Sequence, residues 1–121
     1  MERRYRLTAS ADFQRTRQQG KCWSHRLVIL CALRNSLDHS RFGFAASRRI
    51  GKATVRNRVR RRMREVVRLE RTSIVQGFDM VIIARPPIVQ ATYDEIALAV
   101  CGLLGRATSW AGGANTEKSV G

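Results

Sequence analysis

Lysine is nearly missing from this chain. Its 121 residues hold three lysines, Lys21, Lys52 and Lys118, against twenty arginines, although either cation serves solubility equally well. Acids are scarce too: nine in all, which leaves a formal charge of +14. Their spacing suggests no carboxylate cluster of the kind that holds two metal ions. The only histidines, His25 and His39, sit near turn signals and far apart in the chain, so neither is expected to serve as a general base. No catalytic residue and no metal ligand is expected in this protein. Cys22, Cys31 and Cys101 form no C-x-x-C pair. They read as small buried residues suited to a reducing cytoplasm, without a zinc signature. No apolar run approaches the roughly 18 residues needed to cross a membrane; Leu27–Leu33 and Met80–Ala84 have strand length. The basic start Met1-Glu2-Arg3-Arg4-Tyr5-Arg6 has no hydrophobic stretch behind it, so a secretory signal is not expected.

What is present is one globular domain's worth of apolar residues, 44%, in a chain long enough to bury a core. The expected domain spans residues 1–110, followed by a disordered, Gly- and Ala-rich tail at 111–121. Ser10 reads as the N-cap of a short helix that stops at Gly20. The stretch from Arg26 to Leu33 reads as a buried strand, and Arg41–Ser47 as a second, with a hairpin as one way to join them. Phe78–Ala84 is a third strand, bounded by Gly77 and Pro86-Pro87. Thr92-Tyr93-Asp94-Glu95 matches a capping box. Behind it Tyr93, Ile96, Val100, Leu103, Leu104 and Ala107 recur at helical spacing. The pattern is that of an α+β or split β-α-β domain.

Charge is concentrated between Arg41 and Arg71, where twelve Lys/Arg face two acids, Glu65 and Glu70. Within it, Val55, Val59, Met63, Val66 and Val67 fall on one stripe of a helix that begins between Gly51 and Thr54. Asn57, Arg61, Arg64 and Arg68 form a row on the opposite side, flanked by Arg56 and Arg60 on one edge and Arg58 and Arg62 on the other. Solvated helix faces usually mix signs and gain from i,i+4 ion pairs. Here Arg56-Arg60-Arg64-Arg68 and Arg58-Arg62 repel at that spacing, at a cost of roughly 1 kcal/mol for the set; only Glu65, four residues after Arg61, relieves it. Arginine is the residue for planar, bidentate contact with phosphate. A membrane-surface helix would carry bulky apolar residues beside its cations, so nucleic acid is the expected partner and no membrane is.

The run Phe42-Gly43-Phe44-Ala45-Ala46-Ser47-Arg48-Arg49-Ile50-Gly51-Lys52-Ala53, followed by Val55-Arg56-Asn57-Arg58-Val59-Arg60-Arg61, resembles the protein subunit of bacterial ribonuclease P. Arg6-Leu7, Asp12-Phe13, Gly20 and the strand from Asp79 to Pro86 extend the resemblance from about Arg6 to Leu104; Thr54, where Val is common, departs from it. The resemblance implies a small mixed four-stranded sheet with three helices and a split β-α-β unit with a left-handed crossover, a hand that the general rule would not favour. It implies an RNA-binding subunit of a ribonucleoprotein endonuclease. Such a subunit helps a catalytic RNA remove the five-prime leader from precursor tRNA. The partners are then ribonuclease P RNA and the precursor. Magnesium is expected to serve the RNA-catalysed reaction, with no cofactor bound by the protein itself. Arg48, Arg49, Lys52, Arg56, Asn57, Arg58, Arg60, Arg61, Arg64 and Arg68 become the expected RNA-binding set. Phe13, Arg17 and Cys31 fall in the leader cleft, Arg17 and Cys31 standing where aromatics are common; plain core packing is the other reading of Phe13. A ribosomal or other nucleic-acid-binding protein is the alternative class.

Overall fold

The computed structural model describes the backbone of residues 1–120 and the side chains of residues 1–112. In chain order the elements are α1 (Ser10–Gln19), β1 (Lys21–Ser24), β2 (Val28–Arg34), β3 (Arg41–Ala45), α2 (Ala53–Glu70), β4 (Phe78–Ala84) and α3 (Tyr93–Val120). The strands form one sheet in the order β1-β2-β4-β3. β2 runs antiparallel to both β1 and β4, while β3 and β4 are parallel and joined through α2. This is the expected α+β class with a mixed sheet. The β2–β3 hairpin does not form. β4 lies between them, with Asp79 opposite both Leu33 and Arg41. The reason is burial: six of the seven β4 residues are buried, and a strand apolar on both faces belongs in a sheet's centre. β1 is absent from the sequence reading because it offers four residues of which only Trp23 is buried.

One face of the sheet holds the main core. Leu30, Phe42, Met80 and Ile82 meet Val59, Met63, Val66 and Val67 of α2 and Ile96, Val100, Leu103, Leu104 and Ala107 of α3. The periodic stripes read from sequence are thus the buried faces, except that Val55 is half-buried and Tyr93 is 37% exposed. Tyr93 opens α3, one turn before the helix packs. The capping box at its start forms as expected: the Thr92 amide donates to Glu95 Oε1 at 2.9 Å and the Glu95 amide to Thr92 Oγ1 at 3.1 Å. Those bonds hold the Glu95 carboxyl below its ordinary pKa. Ser10 is the first residue of α1, and the cap position falls on Ala9. Ala111, buried in the core cluster, and Gly112 continue α3 past the expected domain boundary at 110; residues 113–121 of the expected tail lie outside the described side chains.

The opposite face carries α1 and a buried acid. Strand alternation turns Cys31, Arg41, Gly43, Asp79 and Val81 to this side. Asp79, 1% exposed, takes Arg41 in a two-point grip, Nε to Oδ1 at 2.9 Å and Nη2 to Oδ2 at 2.7 Å. Asn35 Nδ2 adds a third bond to Oδ1 at 2.9 Å. From α1, Asp12 lies 3.7 Å from the Arg41 guanidinium, and Arg15 bridges Asp12 at 2.7 Å and approaches Asp79 at 4.0 Å. One network therefore ties β3, β4, the β2–β3 connection and α1. The bond to Asp79 raises the Arg41 pKa above its ordinary value. Cys22 and Cys31, opposite each other in the β1–β2 register, are joined as a disulfide. This corrects the reading of three unpaired cysteines, since strand pairing brings together two that sequence spacing keeps apart.

Asp79→Asn keeps the shape of the buried group and removes its charge. Breaking a fully buried pair from one side costs roughly 3–5 kcal/mol, and the Arg41 side chain is 24% exposed. A loss of about 2–3 kcal/mol in urea unfolding is expected; an unchanged midpoint would show that the network adds nothing to stability.

Candidate nucleic-acid interface

The cationic helix starts where the backbone needs a glycine. After β3 a short 3-10 turn, Arg48–Ile50, buries Ile50 and leaves Arg48 and Arg49 exposed. Gly51 follows at φ 145° and ψ −157°, a region open to glycine almost alone. Lys52 then takes the N-cap position without a side-chain cap bond, and the first turn of α2 holds no acid. Helix N-termini carry partial positive charge and ordinarily attract acids. Here that charge adds to Arg48, Arg49, Lys52 and Arg58, all exposed. The result is an anion-seeking surface at the junction of turn and helix.

Along α2 the exposed members of the expected set are Asn57, Arg58, Arg61 and Arg68. Arg56 and Arg60 are half-buried and lean back on the chain: Arg56 Nη1 donates to the Gly51 carbonyl at 3.4 Å, Arg60 Nη1 to the Ala46 carbonyl at 3.5 Å, and Arg60 also bonds the Asn57 side chain. Arg64 leaves the outer row. It is half-buried with its guanidinium 5.6 Å from the Phe44 ring centroid, a cation–π geometry. Glu65 pairs with Arg68 at 2.6 Å, not with Arg61, so Arg61 keeps its charge free of that acid. Each histidine has a local bonding role. His25 Nδ1 accepts from the Leu27 amide at 2.9 Å, while His39 lies 2.9 Å from Asp38 and 3.0 Å from the Arg4 carbonyl.

The three expected cleft residues do not form one surface. Phe13, half-buried, lies against the glycine of β3: a Cβ on Gly43 would fall 2.5 Å from two of its ring carbons. The ring is therefore partly packed and partly offered to solvent. Arg17, one turn further along α1, is exposed beside Gln14 and Gln18. Cys31 is 3% exposed and bonded to Cys22, so its side chain is not available to a ligand; this removes it from the cleft. Two residues that sequence reading missed stand nearby, Arg6 and Phe44, which share a groove with Phe13 and Arg64. The parallel bridge from Arg6 to Phe42 that places them is a tertiary contact with no local signal.

Known proteins share this topology. The family model for ribonuclease P matches residues 1–108. The chain belongs to that family. It is 43% identical over 108 residues to the ribonuclease P protein component of Roseiflexus castenholzii, covering 88% of each chain. It is 36% identical over 104 residues to that of Alkaliphilus metalliredigens, covering 86% of this chain and 94% of the relative. The solved Staphylococcus aureus RNase P protein superposes with a TM-score of 0.78 at 31% identity, over 85% of this chain and 94% of that one. The Thermotoga maritima protein, solved with 1-(4-fluorophenyl)-2-thiourea, gives the same score and identity over 84% and 98%. Ribonuclease P is a ribonucleoprotein endoribonuclease, and this family is its protein component, associated with ribonuclease P RNA and with tRNA processing.

The Phe13–Gly43 contact is testable by overpacking. Gly43→Ala forces the ring aside and is expected to cost about 1–3 kcal/mol. Phe13→Ala in the same chain removes the ring clash and leaves only the tighter approach to the Leu7 carbonyl at 3.0 Å, so the double variant recovers part of that loss in a denaturation cycle. Strict additivity of the two losses would show that ring and strand are not in contact.

Proposed function

We propose that this protein binds its catalytic RNA through the exposed cations around the start and outer face of α2, and meets the five-prime leader of precursor tRNA along α1. The observation that carries this reading is the cationic junction itself: Arg48, Arg49, Lys52 and Arg58 gather around a helix N-terminus whose first turn holds no acid. Asn57, Arg61 and Arg68 continue the face, with Arg56, Arg60 and Arg64 supporting it from partly buried positions. Phosphate contacts of this kind fix register and orientation and carry little sequence information. That suits a subunit whose chemistry lies in a structured RNA. Magnesium ions held by that RNA would supply the metal chemistry of cleavage, while this chain's residues bind and orient.

On the leader side, Phe13 offers a ring face and Arg17 a mobile cation. Unpaired bases gain from aromatic stacking, and with position 31 buried, Phe13 is the aromatic left from the expected cleft. Among the described residues no helix is long and apolar enough to cross a membrane. The place of work proposed is the cytoplasm, where an RNA partner of this kind resides.

Reconstitution with the catalytic RNA tests the assignment. Arg58→Ala and Arg61→Ala are expected to weaken assembly and to flatten the logarithmic salt dependence by about one unit each or less, with unfolding free energy changed by no more than about 0.5 kcal/mol. Phe13→Ala is expected to weaken precursors that carry a leader while leaving mature tRNA affinity nearly unchanged. Unchanged assembly and salt slope in both arginine variants would move the RNA to another face.

A further inference from the structure

Among the described residues a single covalent cross-link joins two strands, and neither the cationic helix nor the apolar core accounts for it. Cys22 of β1 and Cys31 of β2 face each other in antiparallel register, with Cα atoms 4.1 Å apart. In a cytosolic protein such bonds are usually transient, catalytic or redox-sensing rather than structural. Access to the sulfurs separates a labile bond from a permanent one. Cys31 is 3% exposed, but Cys22 is an exposed residue of an edge strand. One sulfur is therefore open to attack and the other is shielded. Lys21 beside it in the chain and Arg17 on the last turn of α1 are exposed cations, which draw an anionic thiolate. Cys101 shows the contrast: it is a free thiol on α3, half-buried beside Glu70, and burial pushes its pKa up.

The bond sits at a junction with few other anchors. β1 has four residues, pairs with β2 alone and buries only Trp23. Helix α1 runs straight into it through Gly20, whose amide donates to the Thr16 carbonyl at 3.0 Å. The approach to β2 is close there: a Cβ on Gly20 would fall 2.6 Å from the Ala32 carbonyl oxygen. Cys22 Sγ itself lies 4.0 Å from the Arg17 carbonyl oxygen. The first half of α1 is tied to the sheet by Asp12 and Arg15. Its last turn has buried Thr16 and the cross-linked strand beside it. On the other face of the sheet Trp23 packs edge-on against Trp110, with ring centroids 5.5 Å apart. Opening the bond therefore leaves β1 anchored on the core side. The consequence is local loosening, not unfolding.

We propose that Cys22–Cys31 is a reversible thiol–disulfide site, opened by low-molecular-weight thiols and closed by hydrogen peroxide, whose state sets the order of β1 and the last turn of α1. Opening begins when a thiolate attacks Cys22 Sγ. A mixed disulfide forms, the bond to Cys31 breaks, and Cys31 leaves as a thiolate that takes up a proton. A second thiol attacks the mixed disulfide, releasing Cys22 as a thiol and departing as the small disulfide; two electrons have then passed to the pair. Closing starts at the Cys22 thiolate, which takes one oxygen of hydrogen peroxide as a sulfenic acid while the other leaves as hydroxide and becomes water. The Cys31 thiolate attacks that sulfur, restores the S–S bond and releases a second water. Any effect on RNA rests on the α1 reading given above, because Arg17 rides on the turn that loosens.

The test takes the full chain through millimolar glutathione and then stoichiometric hydrogen peroxide, with Cys22→Ser alongside. Iodoacetamide added under denaturing conditions counts thiols by mass: three in the open form, and Cys101 alone in the closed one. Glutathione is expected to open the pair and hydrogen peroxide to close it again over repeated cycles. Amide hydrogen exchange in β1 and the last turn of α1 is expected to quicken about tenfold in the open form, with β4 unchanged. Cys22→Ser matches the open form in both buffers, and position 22 is exposed, so the fold tolerates it. A bond that stays closed in glutathione, or that hydrogen peroxide does not restore, overturns the proposal. So does exchange that is the same in both states. In the reconstituted holoenzyme, affinity for leader-bearing precursor is expected to fall about two- to fivefold in the open form, because the loosened turn must be ordered on binding. Faster exchange with unchanged leader affinity supports the redox site and removes the last turn of α1 from the leader surface, so the two claims fail separately.

Discussion

A single buried carboxylate organises the side of the molecule that carries α1. Asp79 sits in the central strand of a chain with a charge of +14, and it is the point on which Arg41, Asn35 and, through Asp12 and Arg15, helix α1 converge. Burying one acid among so many arginines would be costly without partners. With Arg41 in a two-point grip the charge is matched, and the leftover hydrogen-bonding capacity goes to the connection that follows β2. Helix α1 has little apolar surface of its own, and Thr16 is its one buried residue. Its position over the sheet depends on this polar network and on the close contact of Phe13 with Gly43. The surface along α1 is thus held by electrostatics and one close approach, whereas α2 and α3 are held by a conventional apolar core.

The division matters for how charge is used. Acids in this protein are spent on architecture: Asp79 and Asp12 on the α1 network, Glu95 on the cap of α3, Glu65 on the Arg68 pair. Few remain to neutralise the cations at the start of α2 or at the β3 edge. Repulsion among those cations is tolerated because Val59, Met63, Val66 and Val67 anchor the helix from the other side. The apolar anchor and the exposed cations consequently lie on opposite faces of one helix, so exposed arginines can be replaced with little effect on folding.

Much of this was legible before any coordinates. The α2 stripe and the α3 capping box are local patterns, and periodicity alone reads them. β4 was legible as a run of apolar residues, yet its place in the middle of the sheet was not, because pairing is decided by burial on both faces and no dipeptide encodes it. β1 was too short and too polar to register. At the site, the exposed arginines were readable from angle counting. The inward turn of Arg64 was not, because it depends on Phe44, a residue from a different element. Cys31 shows the limit of carrying a family position across: its place in the chain matched, but strand register put Cys22 opposite it and burial closed it off.

The Arg6–Phe42 bridge has a consequence for the free protein before it meets RNA. An uncovered strand at the rim of a sheet is a template for pairing with another chain, and β3 would be such a rim, with Phe42, Gly43 and Phe44 side by side. Residues 6 and 7 occupy its first positions, so a newly made molecule presents little sticky backbone to its neighbours, and its high like charge keeps those neighbours apart. Trimming the first seven residues, or pulling them away with a bulky N-terminal fusion, would expose that rim. The penalty would then appear as self-association and precipitation rather than as a lower melting temperature.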